Sequence, residues 1–176
     1  ILNSRGSKFI AGDFSNFDGS LRPEILKYIG ECIDQWYGDE NNPIRKHLWM
    51  EVYNSTHIQA GKVYRFKQGL PSGHPLTSII NSIYNMAAID YVVQEIFDDK
   101  RILWDVEDHI GVIVYGDDNL IAFSDQVAEQ IDPNELIPIF KEIGLKYGNA
   151  EKDDSGLSYL PFDKLMFLKR YFRENE

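Results

Sequence analysis

The stretch Val112-Ile113-Val114-Tyr115-Gly116-Asp117-Asp118-Asn119-Leu120-Ile121-Ala122-Phe123 decides the fold that this sequence predicts. The runs on either side of Gly116-Asp117 are β-branched and aromatic, so each is predicted to be a strand. Gly116-Asp117 suits a two-residue type II′ turn, in which glycine supplies the positive φ. An apolar hairpin has no structural need for acids at its tip. Two adjacent carboxylates there indicate a site for divalent cations, although Gly-Asp is also a common surface turn.

A second acidic element precedes this hairpin, in Lys8-Phe9-Ile10-Ala11-Gly12-Asp13-Phe14-Ser15-Asn16-Phe17-Asp18-Gly19-Ser20. A predicted apolar strand, residues 8–13, ends in the carboxylate of Asp13. If this strand neighbours the hairpin, Asp13 and Asp117 could hold two metal ions about 3.5–4 Å apart, as two-metal nucleotidyl transfer requires. Asp18 lies too far along the chain to be another ligand from this strand. It could reach the sugar of a bound nucleotide, or simply form a turn before a helix.

A third element, Gln68-Gly69-Leu70-Pro71-Ser72-Gly73-His74-Pro75-Leu76-Thr77-Ser78-Ile79-Ile80-Asn81, is a loop that leads into a long predicted helix. Its glycines and Ser72 allow the backbone to approach a ligand closely. Thr77 and Asn81 are four residues apart, so they share one face of the predicted helix. The same residues are also ordinary loop and helix-cap chemistry.

In this order, the three elements resemble the palm of viral RNA-dependent RNA polymerases of the picornavirus-like group, which includes the dicistroviruses and iflaviruses. Residues 13–18 are similar to motif A of that family, residues 69–81 to motif B and residues 115–118 to motif C. Residues 147–152 and 167–171 are similar to motifs D and E. Chance agreement of five ordered motifs is far less expected than agreement of one.

The resemblance implies an α+β fold, with helices packed on one face of an antiparallel sheet in βαββαβ order, as in ferredoxin-like and RRM domains. It implies that residues 1–176 form a single palm domain of a larger polymerase, with fingers and thumb mostly absent. The sequence contains no counterpart of the family's basic motif F. His74-Pro75 stands where the family usually has smaller residues.

The resemblance further implies template-directed RNA synthesis from rNTPs. Asp13, Asp117 and Asp118 are expected to be the catalytic metal ligands, with Mg²⁺ as the cofactor and Mn²⁺ as a possible substitute. Lys152 is expected to protonate the leaving pyrophosphate as a general acid. A solvated lysine in an acidic segment would look the same.

Ribose recognition is implied for five residues of motifs A and B: Asp18, Ser72, Gly73, Thr77 and Asn81. Reverse transcriptases resemble this layout but place a bulky aromatic residue where Asp18 stands. Asp18 therefore favours ribonucleotides, because a site built to bond a hydroxyl rejects analogues that lack it.

The expected partners are an RNA template and primer, rNTPs, and the fingers and thumb of the parent polymerase. Lys169 and Arg170 would contact primer phosphates, although they could equally be exposed charges on a strand. Family habit places such polymerases in the host cell cytoplasm, in membrane-associated replication complexes. The sequence itself contains no apolar run long enough to span a bilayer.

Composition limits what the chain is expected to do alone. It has 176 residues and a net charge of −10, from 28 acidic and 18 basic residues. Nucleic-acid binders are usually basic, because phosphate contacts dominate affinity, so the isolated chain is expected to be inactive or weakly active. Two alternatives stay open: a reverse-transcriptase-like palm, and a fragment that binds metal or partners without catalysis.

Periodicity and punctuation predict the remaining elements. Pro43 begins a helix to about residue 54, with Leu48, Trp49 and Val52 as expected core. Asp132 is the predicted N-cap of a helix that stops at Gly144. The other expected elements are helices at residues 24–36 and 75–97, a hairpin at 58–66, and strands at 146–148 and 165–173.

Overall fold

A computed structural model describes residues 6–149 and 155–172 of the chain. The described residues form two compact units. The first comprises the segments up to Ser15 and from Asn85 onward, and the second comprises residues 16–84. The strands are β1 Lys8–Ser15, β2 Thr56–Gln59, β3 Lys62–Arg65, β4 Ile110–Tyr115, β5 Asp118–Phe123, β6 Lys146–Asn149, β7 Met166–Phe167 and β8 Arg170–Tyr171. The α-helices are α1 Phe17–Ser20, α2 Pro23–Tyr37, α3 Asn42–Tyr53, α4 Thr77–Lys100, α5 Val106–His109, α6 Asp125–Ala128 and α7 Leu136–Glu142.

The first unit is built on a four-stranded sheet in the order β4-β5-β1-β6. All three strand pairings are antiparallel. With α4 between β1 and β4, and α7 between β5 and β6, the chain order is β1-α4-β4-β5-α7-β6. The predicted α+β class and βαββαβ order are therefore confirmed.

The hairpin of β4 and β5 has the predicted two-residue turn. Tyr115 pairs with Asp118, which leaves Gly116 and Asp117 as the turn. Gly116 has φ 63° while Asp117 keeps a negative φ, as a type II′ turn requires. Both flanking strands run through β-branched and aromatic residues that favour extended backbone.

The two faces of this sheet are covered differently. On one face, Phe140 of α7 packs edge-on against Phe14 of β1, with ring centroids 5.3 Å apart. On the other face, Leu165 of the C-terminal segment joins a buried cluster with Phe9 and Leu120. The helices thus pack on one face, as predicted, and the C-terminal segment covers the face that carries Phe9.

Helix α7 begins where capping chemistry predicts. Asp132 and Glu135 form a reciprocal capping box around a short 3₁₀ turn, Pro133–Glu135, which leads directly into α7. Gly144 follows the helix with φ 88°, a left-handed conformation that glycine adopts without strain.

The second unit packs α2 against α3. The indole nitrogen of Trp49 donates to the carbonyl of Leu26 at 2.6 Å, and Val52 is buried. The expectation that Leu48 belongs to the core is wrong, because its side chain is 62% exposed. Leu48 lies four residues after Ile44, so these two exposed residues form a separate apolar stripe of α3.

Within the described ranges, none of these helices combines the length and apolar character needed to cross a membrane.

Candidate active site

Two of the predicted metal ligands, Asp13 and Asp118, lie where the pairing of two neighbouring strands ends. Pairing of β1 with β5 ends at Gly12 and Asn119, so the next residues on the two strands are Asp13 and Asp118. Side chains alternate along a strand, which places both carboxylates on the same sheet face as Ala11. The two segments that carry these acids are about a hundred residues apart in sequence, and the sheet register brings them together.

The three predicted metal ligands interact electrostatically. Burial raises the pKa of Asp118 above its usual range, and the negative charges of Asp117 and Asp13 raise it further. The positive charge of Lys169 partly offsets this effect. The contributions of Asp117 and Asp13 to this raised pKa show that negative charge is concentrated here, and a divalent cation would neutralise that charge.

The donor set fits a divalent cation that shares its ligands with a substrate. Among the residues that the structure describes, no three His, Cys, Asp or Glu side chains form a ready-made metal cluster. Mg²⁺ is usually bound through one or two carboxylates, with water and substrate phosphate oxygens completing its shell. Asp117 is exposed and Asp118 half-buried, so their carboxylates remain accessible to such a complex.

The turn that carries these acids is held by a residue that the sequence analysis missed. Asn85 of α4 is fully buried, and its amide nitrogen lies 3.1 Å from the carbonyl oxygens of both Gly116 and Asp117. The available signal was a polar residue in an otherwise apolar stretch of a predicted helix, four residues after Asn81. Periodicity alone could not say what it contacts.

A second buried amide reaches the same turn. Asn119 donates through its side chain to the carbonyl of Asp117 at 3.3 Å, and accepts at 2.7 Å from the hydroxyl of Tyr147. Tyr147 lies in β6 and crosses β1 at Gly12, where a Cβ would overlap the tyrosine ring. Burial raises the pKa of the Tyr147 hydroxyl, and the charge of Asp13 raises it further, so the hydroxyl stays protonated and donates.

The predicted ribose-binding residues of the second unit are partly assembled. Ser72 donates to one carboxylate oxygen of Asp18 at 2.9 Å, and the amide of Asn81 donates to the other at 2.5 Å. Asp18 lies in the short helix α1, which Asn16 begins with a left-handed φ of 56°. Two side chains, 54 and 63 residues further along the chain, therefore converge on one half-buried carboxylate.

Thr77 and Gly73 do not bond to Asp18. The Thr77 hydroxyl lies 2.8 Å from the carbonyl of His74 and 3.2 Å from that of Pro71, so it closes the loop at the start of α4. Gly73 has φ 90° and is exposed, with open space where a Cβ would stand. Their part in ribose binding stays a prediction.

The predicted primer-binding residues lie on the hairpin of β7 and β8. Leu168 and Lys169 form its two-residue turn, and both have positive φ, at 51° and 60°. Lys169 and Arg170 are exposed, and the positive charge of Lys169 lowers the pKa of Asp118. Lys152, the predicted general acid, lies outside the described residues.

Comparisons with known proteins agree with this arrangement. The family model for viral RNA-dependent RNA polymerases matches residues 1–176. The replicase polyprotein of acute bee paralysis virus is 35% identical over 98% of the chain, and the RNA1 polyprotein of broad bean wilt virus 2 is 33% identical over 98%. The chain spans only 10% and 9% of those two proteins.

A solved structure, the Sicinivirus 3Dpol RNA-dependent RNA polymerase, superposes with a TM-score of 0.79. It is 25% identical, and the match covers 97% of this chain and 35% of that one. Polymerases of this family generally use divalent metal ions, which agrees with the acidic donor set. The chain belongs to the viral RNA-dependent RNA polymerase family.

Proposed function

We propose that this chain provides the catalytic carboxylates and the ribose-recognition residues of an RNA-dependent RNA polymerase. The reaction is template-directed addition of ribonucleotides from rNTPs to an RNA 3′-end, for genome replication and transcription in a positive-strand RNA virus. The proposal is carried by the position of Asp13 and Asp118, which follow the last residue pair of β1 and β5, and of Asp117 in the adjoining turn, in a chain that matches the family throughout. The family match favours this reading over a reverse transcriptase or a non-catalytic fragment.

Asp13, Asp117 and Asp118 would hold the divalent cations, Mg²⁺ first and Mn²⁺ as a substitute. When bound, such ions activate the attacking 3′-hydroxyl and neutralise charge on the triphosphate. The chain itself contributes preorganisation, because a paired strand and a tight turn fix where the carboxylates stand before substrate arrives.

Asp18 would recognise the ribose 2′-hydroxyl. It accepts one hydrogen bond on each carboxylate oxygen, from Ser72 and Asn81, and each oxygen keeps a lone pair for a further donor. A ribonucleotide supplies that donor, and a deoxyribonucleotide does not. Gly73 and Thr77 would support this role by shaping the loop between Ser72 and α4.

Three basic residues complete the proposed chemistry. Lys152 would act as the general acid toward the leaving pyrophosphate. Lys169 and Arg170 would contact phosphates of the primer, which suits their exposure at the tip of a hairpin.

The partners would be an RNA template and primer, rNTPs, and the fingers and thumb of the parent polymerase. Because this chain has a net charge of −10, the basic surface that binds RNA would be provided by the fingers and thumb. The site of action would be the host cell cytoplasm, in membrane-associated replication complexes.

Primer extension on an RNA template tests this proposal. A full-length polymerase that carries this chain is compared with the 176-residue chain alone, in Mg²⁺, with rNTPs or dNTPs. We expect extension by the full-length enzyme with rNTPs and little with dNTPs. The isolated chain is expected to show little or no extension, because it is strongly acidic.

Two outcomes would contradict the proposal. Equal incorporation of rNTPs and dNTPs would favour a reverse-transcriptase-like palm. A folded full-length protein that binds Mn²⁺ and RNA but extends no primer would favour a non-catalytic role.

A further inference from the structure

One buried side chain reaches three successive backbone carbonyls of the turn that carries the proposed metal ligands. The amide nitrogen of Asn85 lies 3.1 Å from the carbonyl oxygens of Gly116 and Asp117, and 3.5 Å from that of Asp118. An asparagine amide has two N–H donors, so it serves two of these carbonyls well and the third at the limit of bonding. None of these three contacts uses a carboxylate oxygen.

These bonds act on the part of the hairpin that ladder pairing leaves unfixed. In a two-residue turn, the peptide between the central residues can rotate between the II′ and I′ arrangements, which differ in the φ of the second residue. For Asp117, that rotation would require a positive φ, which aspartate tolerates better than most residues. By bonding the carbonyl of Gly116, Asn85 holds the peptide in one orientation and so fixes the direction of the Asp117 side chain.

The chemistry of the bond suits its surroundings. A neutral amide stabilises the turn carbonyls without adding charge beside Asp117 and Asp118. A lysine or arginine at position 85 would pair with the carboxylates and compete with a cation. An aspartate there could only accept hydrogen bonds, so it would repel the carbonyl oxygens of the turn. Asparagine is the side chain of this size that donates without charge.

The side-chain amide of Asn85 also has a destabilising effect. The side-chain oxygen of Asn85 is buried and accepts no hydrogen bond from the described residues. Most buried polar atoms in proteins are satisfied, so an orphaned acceptor on a fully buried side chain indicates that the donor half of the group is needed. A leucine at position 85 would remove the unsatisfied oxygen, but it would also remove the hydrogen bonds to the turn.

A second amide supports the turn from the sheet. Asn119 reaches the carbonyl of Asp117, and its own orientation is fixed by the hydroxyl of buried Tyr147. The carbonyl of Asp117 thus receives donors from a helix residue and from a strand residue.

We propose that Asn85 is a positioning residue, which holds the Gly116–Asp118 turn so that the Asp117 and Asp118 carboxylates are directed toward the divalent cations. This inference rests on the proposed function, because it assigns the turn to metal binding in nucleotide addition. Asn85 itself contacts no substrate and acts only through the backbone of the turn.

The test uses a full-length polymerase that carries this chain, with Mn²⁺ as the probe. Mn²⁺ affinity is measured by paramagnetic resonance titration without nucleotide, and kcat and KM are measured for single ribonucleotide addition. For Asn85→Leu we expect Mn²⁺ affinity and kcat to fall about 10–100-fold, as for other residues that orient metal ligands. KM for the rNTP should change little, because the ribose site is left intact.

Two further variants make the test specific. Asn134→Leu is the matched control, since Asn134 also donates its amide to a backbone carbonyl, that of Leu157, away from the turn. It should lower thermal stability without changing Mn²⁺ affinity. Asn85→Ser keeps an uncharged donor in a smaller side chain, and an intermediate Mn²⁺ affinity is expected; it also serves if Asn85→Leu does not fold.

Mn²⁺ affinity within twofold of the unsubstituted enzyme, in a folded Asn85→Leu or Asn85→Ser variant, would overturn the inference. An equal loss in Asn134→Leu would also overturn it, because the effect would then be general destabilisation. The proposed function fails separately, if the unsubstituted enzyme binds Mn²⁺ but adds no nucleotide. In that case the Mn²⁺ titrations still decide the role of Asn85.

Discussion

The Gly116–Asp118 turn is held through its backbone, whereas Asp18 is held through its side chain. Buried amides of Asn85 and Asn119 bond the turn carbonyls and leave the carboxylates to other ligands. At Asp18, by contrast, the carboxylate oxygens themselves accept the bonds.

The difference matches two kinds of chemistry. A metal ligand must be fixed in place while its oxygens stay uncommitted, and backbone bonds achieve this. A residue that recognises a hydroxyl accepts a hydrogen bond from it through the lone pairs that remain on its own oxygens. Donors that bond to those oxygens orient the carboxylate and so fix the direction of the remaining lone pairs. The two regions should therefore respond differently to substitution.

The largest effect is expected from removing the charge of a proposed metal ligand. Asp117→Asn or Asp13→Asn should reduce nucleotide addition by about a thousandfold or more, because several kcal/mol of charge stabilisation is lost and each 1.4 kcal/mol is tenfold in rate. Rapid-quench measurement of single-nucleotide addition checks this. Asp163→Asn, an exposed acid of the same unit, is the control and should keep full activity. Near-normal rates in either metal-ligand variant would remove the metal assignment.

A smaller and more selective effect is expected at Asp18. Asp18→Ala or Asn81→Ala should narrow the preference for rNTPs over dNTPs by about 10–100-fold, the range expected for losing a hydrogen bond to a charged group. Ser72→Ala should narrow it less, since Asn81 still orients the carboxylate. Competition between ATP and dATP in primer extension measures the ratio. An unchanged ratio in Asp18→Ala would count against ribose recognition.

The smallest effect should fall on stability. Gly12→Ala places a methyl group where the ring of Tyr147 crosses β1, and overpacking of this kind typically costs about 1–3 kcal/mol. Urea unfolding of the full-length polymerase checks the loss. The double variant Gly12→Ala/Tyr147→Leu should lose less than the sum of the two single variants, because the overlap is gone. Additive losses would show that the ring is not what excludes a side chain at Gly12.

Sequence reasoning succeeded where the determining interactions are local. The II′ turn at Gly116 and the capping box of Asp132 and Glu135 follow from neighbouring residues, and both are present. The βαββαβ order of elements along the chain could be predicted because the motif order resembles a known family. For the site, the family resemblance grouped Asp18 with Ser72 and Asn81, and the structure shows these three side chains in contact, while their part in ribose binding stays a prediction.

What the sequence could not supply depends on packing between distant segments. Asn85 is one of several polar residues in its helix, and its partners lie 31 to 33 residues further along the chain. Leu48 and Trp49 are adjacent apolar residues of one helix, yet Trp49 bonds to α2 and Leu48 is exposed. Which apolar stripe of a helix is covered is decided by its neighbours, and periodicity does not identify them.

The packing of the Tyr147 ring over Gly12 also limits which substitutions can be accepted at these positions during evolution. The residue before Asp13 cannot acquire a side chain while an aromatic ring occupies that space. If residue 147 becomes smaller first, Asn119 loses the hydroxyl that orients it. Positions 12, 119 and 147 should therefore change together or not at all, and related sequences should show them as a covarying triplet.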